Sequence, residues 1–216
     1  MCVGVALLLL ATEGVGGSIV VGWGIWALVV GGVIALPMIF SSLVGKVRVR
    51  DRVLTGLRLR GDEDVLDLGC GSGLMLLGAA SRCPHGSATG IDLWRSRDQA
   101  GSSRARCWDN AERLGVTDRV HLIDGDIAEL PCEDESFDIV LACLAVHNLH
   151  PDSRRERAIA EAARVLRPGG RLAIIDIFGT RSYVRVAGSC GLVQVQRSGL
   201  LAGLFPPGRL VTAQKP

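Results

Sequence analysis

Hydrophobic and polar positions fall into two regimes along the chain. From Gly14 to Gly45 there is no charged residue, and residues 18–40 form an unbroken apolar stretch. From Lys46 onward, short apolar runs are spaced by segments whose apolar residues recur every three or four positions. The short runs predict strands at 65–68, 88–93, 119–123, 137–142, 171–177, 192–198 and 209–213. The periodic segments predict helices at 46–60, 74–80, 104–114, 153–166 and 180–190. The helix at 153–166 is the clearest. Ala158, Ile159, Ala162, Val165 and Leu166 share one side, and arginines and glutamates take the other.

The first regime is long enough for a membrane-crossing helix, which needs about 20 apolar residues. Trp23 and Trp26 stand toward one end, where amphipathic rings favour the membrane interface. Lys46, Arg48, Arg50 and Arg52 follow the other end, a basic flank that stays on the cytoplasmic side. The expectation is a single-pass protein with an anchoring segment at 1–45 and a cytoplasmic domain at 46–216. Residues 1–11 are apolar but too short to cross alone, and a partial second span there stays open. A cleaved signal peptide is the alternative, but the positive leading region it requires is absent. Ala27, Gly31 and Ala35 lie four apart, a small-residue stripe that suits packing against a second copy in a homodimer.

Composition adds limits. The mean hydropathy of +0.33 is high for a soluble protein, but the excess lies in that first stretch. A net charge of +2, one tyrosine and four phenylalanines give no basic field or stacking surface for nucleic acid. Cysteines stand at 2, 70, 83, 107, 132, 143 and 190, without a Cys-x-x-Cys pair or metal-ligand spacing. They read as reduced thiols, most of them buried, and no metal site is expected.

The chemistry is concentrated at Val65-Leu66-Asp67-Leu68-Gly69-Cys70-Gly71-Ser72-Gly73. A buried strand runs through a glycine turn into a helix, the arrangement that binds nucleotide cofactors. The acidic-x-Gly-x-Gly-x-Gly spacing differs from the Gly-x-Gly-x-x-Gly of dinucleotide binders. It resembles the first motif of the class I S-adenosylmethionine (SAM)-dependent methyltransferases. Downstream stations resemble that family in order: Asp92, Asp126, the strand opened by Phe137-Asp138, and the turn Arg167-Pro168-Gly169-Gly170. The resemblance covers about residues 46–216. It implies a seven-stranded Rossmann-like sheet of order 3-2-1-4-5-7-6 with helices on both faces, here preceded by the transmembrane helix.

The same resemblance implies SAM as cofactor, held by Asp67, Gly69, Cys70, Gly71, Gly73, Asp92, Leu93, Asp126, Ile127 and Ala142. Asp92 lies 19 positions past Gly73, where an acidic side chain binds ribose hydroxyls. Asp126 with Ile127 fits the adenine position, and Asp124 is the alternative. Asp138 carries a structural role in the family. His147 and Asn148 leave the carboxyl end of a strand, where the acceptor and the methyl group meet. His147 is the candidate base; lining or packing is its alternative. Trp94 is a candidate for stacking near the adenine or lining an acceptor pocket, with packing as the alternative. After it, residues 94–101 suggest a longer loop than relatives have.

The expected activity is methyl transfer to a small acceptor. The region 144–150 resembles small-molecule and quinone or sterol methyltransferases, and the adjoining apolar span points to a lipid-like acceptor at the membrane. Two other classes stand beside it: a membrane-bound SAM-binding sensor or scaffold without catalysis, and a nicotinamide-dependent oxidoreductase. The glycine spacing and the lack of a Tyr-x-x-x-Lys pair count against the oxidoreductase.

Overall fold

The computed structural model describes residues 15–94 and 103–216. The expectations for residues 1–11, and the longer loop except for Trp94 itself, lie outside the described residues.

The chain enters through helix α1 (Val15–Phe40), continues through one wider π turn (Ser41–Gly45), and runs into α2 (Lys46–Gly56). The sequence predicts two separate helical segments, 18–40 and 46–60. The run is instead unbroken, because Gly45 keeps right-handed helical angles and packs by its backbone. A Cβ on Gly45 would sit 1.8 Å from the Gly203 carbonyl oxygen, so only glycine allows the loop at 203 to lie flat on the helix. Beside it, the Phe205 amide donates to Ser41 Oγ at 2.9 Å. The helix is thus fastened to the domain at its π turn.

The sheet follows: β1 (Asp64–Leu68), α3 (Leu74–Ala80), β2 (Ser87–Asp92), α4 (Arg104–Leu114), β3 (Val120–Asp124), β4 (Phe137–Cys143), α5 (Asp152–Val165), β5 (Leu166–Asp176), α6 (Thr180–Ser189), β6 (Val193–Arg197) and β7 (Arg209–Gln214). Their spatial order is β3-β2-β1-β4-β5-β7-β6, as expected, with β7 antiparallel between β5 and β6. The order reverses between β1 and β4, and in open α/β sheets ligands bind at that switch, outside the carboxyl ends of the strands.

Strand residues alternate between two cores. Leu66, Leu68, Val140, Ala142, Leu172 and Ile174 face α5 and α6, packing on Ile159, Ala162 and Tyr183. Val65, Ile139, Leu141, Ala173 and Ile175 face α2, α3 and α4, packing on Val49, Leu54, Met75 and Cys107. A strand with both faces buried reads as a continuous apolar run, which is why the pattern carried so little alternation. The alternation also aims the polar exceptions. Asp67 falls on the α2–α3 face and Asp176 on the α5–α6 face.

One boundary differs from expectation. The turn at 167–170 does not precede the strand but bulges within it. Phe137 pairs with Leu166 and Ile139 with Arg171, so two steps along β4 match five along β5. Gly169, at φ +79°, and Pro168 allow the excursion. Arg167 on it reaches Asp138 at 2.8 Å, and Asp138 accepts from the Asp64 amide at 2.9 Å. Asp138 therefore staples β1, β4 and β5 at the end of the sheet away from the ligand side.

Candidate active site

The glycine turn is built by its own carbonyls and by neighbours that need the glycines small. The amides of Gly69 and Cys70 both donate to the Ile91 carbonyl, at 2.8 and 3.2 Å, holding the turn against the end of β2. Gly69 has φ +68°, and a Cβ there would sit 2.4 Å from the Ala145 Cβ. Residues after β4 can therefore lie directly on the turn. Gly73 has φ +89° and caps α3 without a side chain. From α4, Asn110 Nδ2 donates to the Ser72 carbonyl at 3.0 Å and holds the turn's outer side.

Asp92 closes the other wall. Its Oδ2 accepts from the Gly71 amide at 2.9 Å and its Oδ1 from the Trp94 amide at 2.7 Å. Both oxygens keep further acceptor capacity, so the carboxylate is oriented beside the turn, ready for a diol. Leu93 next to it is partly exposed. Trp94 takes a left-handed backbone, φ +52°, and its indole N–H donates to the Asp124 carboxylate. Asp124 is further paired with Arg104 at 2.8 Å. The adenine alternative thus sits in an existing network, with Trp94 folded across the ends of β2 and β3. Asp126 accepts from the Ala128 amide at 2.9 Å and pairs with Arg154 of α5. Its neighbour Ile127 is buried in the core. Ala142 is fully buried within the sheet, and the residues of that strand end that reach open space are Cys143 and Leu144.

Asp67 is 2% exposed. Its Oδ2 accepts from the Leu76 amide at 2.9 Å, and its Oδ1 has no hydrogen-bond partner among the described residues. Burial, reinforced by the Asp92 charge and opposed by the Leu76 N–H, pushes its carboxyl up to about 8. It lines a cavity of about 170 Å³ under the turn. Its Oδ1 is a buried acceptor waiting for a donor, which a cofactor bearing an ammonium group would bring. With the oriented Asp92 and the glycine turn, these residues fit a nucleoside cofactor with an amino-acid end.

The raised value has a testable consequence for stability. The unfolded carboxyl ionises near its ordinary value of 3.8, and the folded one near 8. The folded state binds the extra proton between those values, so the contribution is fully present below about pH 4 and is lost as pH rises through about 8. Asp67→Asn is expected to raise the ligand-free melting temperature by roughly 5 °C at pH 8–9, with the gain shrinking toward pH 4. A gain independent of pH in thermal melts would contradict this origin.

On the opposite face of the sheet, β4 and β5 end in a second polar pair. Leu144 donates to the Ile175 carbonyl at 2.8 Å, and a short helical turn (Val146–Asn148) follows. His147 Nδ1 lies 2.6 Å from Asp176 Oδ1, and the His147 amide donates to Asp176 Oδ2 at 3.0 Å. Asp176 is fully buried and also accepts from the Ile177 amide at 2.8 Å and the Tyr183 hydroxyl at 3.2 Å. With a carboxylate on Nδ1, the network assigns the proton there and leaves Nε2 as an acceptor. The ring is partly exposed and edge-on to the exposed Phe178, centroids 6.5 Å apart. Asn148 makes only a long contact, 3.5 Å, to the Leu144 carbonyl.

Sequence reasoning singled out His147 but missed Asp176. The signal was present: a carboxylate ending the apolar run Leu172-Ala173-Ile174-Ile175 at the carboxyl edge of a strand. Lys46, read as a basic flank and the start of the helix at 46–60, and Ser42, given no role, also line the cavity under the turn. Among the described cysteines, Cys70, Cys83 and Cys107 are buried. Burial and the nearby carboxylate of Asp67 push Cys143 up to about 12, so it stays a thiol. Among the described residues no cluster of His, Cys, Asp or Glu could hold a metal ion.

An open sheet with a glycine turn after its first strand and a carboxylate after its second defines a nucleotide-cofactor domain of the Rossmann-like class. Residues 66–174, just over half of the chain, match the family described as "Methyltransferase domain", and the chain belongs to that family. The fold is that of the SAM-dependent methyltransferases. A crystal structure of a SAM-dependent methyltransferase from Aquifex aeolicus superposes with a TM-score of 0.61 at 20% identity, covering 76% of this chain and 88% of that one. The cyclase SpnF shares the fold as well, with a TM-score of 0.64 at 22% identity over 79% of this chain and 81% of its own. In sequence, the chain is 40% identical over 129 residues to a 27-O-demethylrifamycin SV methyltransferase of Amycolatopsis mediterranei, covering 60% of this chain and 44% of that protein. It is 35% identical over 127 residues to a ubiquinone/menaquinone biosynthesis C-methyltransferase of Dinoroseobacter shibae, covering 59% and 47%. The chain thus matches about half the length of these relatives. SAM is the cofactor of this family, and the nicotinamide alternative falls with the family match.

Proposed function

We propose that the protein transfers the methyl group of SAM to a nucleophilic atom of a small hydrophobic acceptor presented at a membrane. The observation that carries this is the His147–Asp176 pair, 2.6 Å apart, on the segment after β4 whose Ala145 lies against Gly69 of the glycine turn. The cofactor supplies a methyl group already activated on a sulfonium. The protein's tasks are then to hold both partners in line and to take the acceptor's proton. Asp67, the turn from Gly69 to Gly73, and Asp92 would hold the cofactor, with Leu93, Ile127 and Asp126 or Asp124 on the side that would take its base. His147 Nε2 would accept the proton of the acceptor's hydroxyl or acidic carbon as that atom bonds to the methyl carbon and the sulfonium–methyl bond breaks, leaving S-adenosylhomocysteine. Asp176 keeps the imidazole in that tautomer and stabilises the imidazolium that results. Phe178, Asn148 and Trp94 line the acceptor's approach.

The acceptor's class is supported by two observations. The rifamycin and quinone methyltransferase relatives bear names that specify small organic substrates. The 26-residue helix α1 carries exposed Trp23, Val33 and Leu36 and has no charge, which supports insertion in a bilayer. The basic residues of α2 beyond it support a cytoplasmic catalytic domain.

The test uses the full-length protein in lipid nanodiscs with methyl-labelled SAM and a panel of quinols, phenols and isolated membrane lipids. Label in the organic-soluble fraction, absent from a heat-killed control, is the expected result. SAM binding with no labelled product from any acceptor would favour the non-catalytic sensor or scaffold.

A further inference from the structure

The cavity under the glycine turn is lined from two sides that the sequence keeps apart. Asp67, Cys143 and Leu144 come from the sheet, and Ser42 and Lys46 from the helix that continues the apolar span into the domain. Asp67 brings an almost fully buried carboxyl oxygen without a hydrogen-bond donor. Lys46 brings an ammonium group that takes part in none of the ion pairs among the described residues. Both residues line the same cavity. One wall therefore needs a donor and the facing wall offers a cation. That is the complement of an amino-acid zwitterion, and a cavity of about 170 Å³ suits such a polar end rather than a nucleoside.

We infer that Lys46 binds the α-carboxylate of the methyl donor while Asp67 takes its ammonium group, so the helix entering from the membrane completes the cofactor site. This rests on the cofactor reading above and adds to it a residue outside the family-matched segment, 66–174. It also gives the unbroken helix a purpose. The π turn that presents Ser42 to the cavity is the one fastened by Ser41 to Phe205 and by Gly45 against Gly203. Cofactor occupancy and docking of the membrane helix on the domain then share the same few residues, and each strengthens the other.

The test is calorimetric binding of two ligands to the full-length protein in nanodiscs: SAM, and decarboxylated SAM, which keeps the ammonium and lacks the carboxylate. Lys46→Met is expected to weaken SAM binding roughly 10- to 100-fold, the range for a lost hydrogen-bonded charge pair, and to leave decarboxylated SAM unchanged. Lys46→Arg is expected to retain most of the SAM affinity, and Arg48→Met, an exposed neighbour on the same helix, to alter neither ligand. Equal loss of both ligands in Lys46→Met would mean a structural role and overturn the inference; so would no loss of either. Wild-type protein that binds neither ligand would sink the cofactor reading itself, an outcome distinct from both.

Discussion

Asp176→Asn is expected to lower kcat by about 100- to 10,000-fold with little change in the Kd for SAM, the range spanned by general-base catalysis and by loss of its orienting carboxylate. The carboxylate accepts four hydrogen bonds, from His147 Nδ1, the His147 and Ile177 amides and the Tyr183 hydroxyl. An amide has one accepting oxygen and one donating nitrogen, so it must turn a donor toward at least one of these four donors. If the nitrogen faces the ring, Nδ1 becomes the acceptor and Nε2 carries the proton. The histidine is then present, folded and in the wrong tautomer. His147→Ala is expected to match Asp176→Asn in kcat, and the double variant to add little, since the two residues act as one unit. Tyr183→Phe removes a single neutral donor and is expected to cost less than tenfold. Single-turnover methylation measured across pH separates the roles. A pH–rate profile that loses its lower limb in His147→Ala, with unchanged cofactor binding, supports a base. Unchanged turnover in that variant would relegate the pair to holding β4 and β5 together.

Asp92→Ala is expected to weaken SAM binding by 100-fold or more. The carboxylate is already turned to the site by the Gly71 and Trp94 amides, at 2.9 and 2.7 Å, and it offers its remaining lone pairs to two ribose hydroxyls. Two hydrogen bonds to a charged acceptor together contribute about 3–6 kcal/mol, and about 1.4 kcal/mol is tenfold. The variant also frees the Gly71 amide and loosens the turn, which adds to the loss. Asp92→Asn keeps an acceptor for one hydroxyl and is expected to fall between. Calorimetry on folded variants decides the matter, and a Kd within threefold of wild type would move the ribose elsewhere.

Much of this architecture was legible along the chain because the signals were local. The run Val65–Leu68 followed by alternating glycines needs no partner to be read, since positive φ angles at 69, 71 and 73 are a property of the turn itself. Asp92 was placed by its distance from that turn, and His147 by its position after an apolar strand. Most element boundaries shifted by a residue or two where hydrogen bonding, rather than composition, sets the end, while the helix expected over 46–60 stops at Gly56. The larger differences arose where distant segments meet. Nothing local marks Gly45, yet the Gly203 carbonyl lying on it makes it a contact inside a continuous helix. The turn at 167–170 reads as a helix stop, yet pairing of Leu166 with Phe137 makes it a bulge.

By itself the sequence determined the class: an apolar stretch, then a Rossmann-like methyltransferase domain with its glycine turn and the carboxylate that ends its second strand. These are encoded in short-range spacing and in runs of apolar residues, which survive without a fold. Only the tertiary structure decided which charges face one another. Asp176 stands 29 positions from His147 and becomes its partner because β4 and β5 lie side by side in register. Lys46 and Asp67 reach one cavity because α2 packs on α3 across the same face of the sheet. A carboxylate in an apolar strand and a lysine after an apolar span look unremarked in a linear chain. Burial and strand order set Asp176 against His147 and bring Lys46 and Asp67 to one cavity.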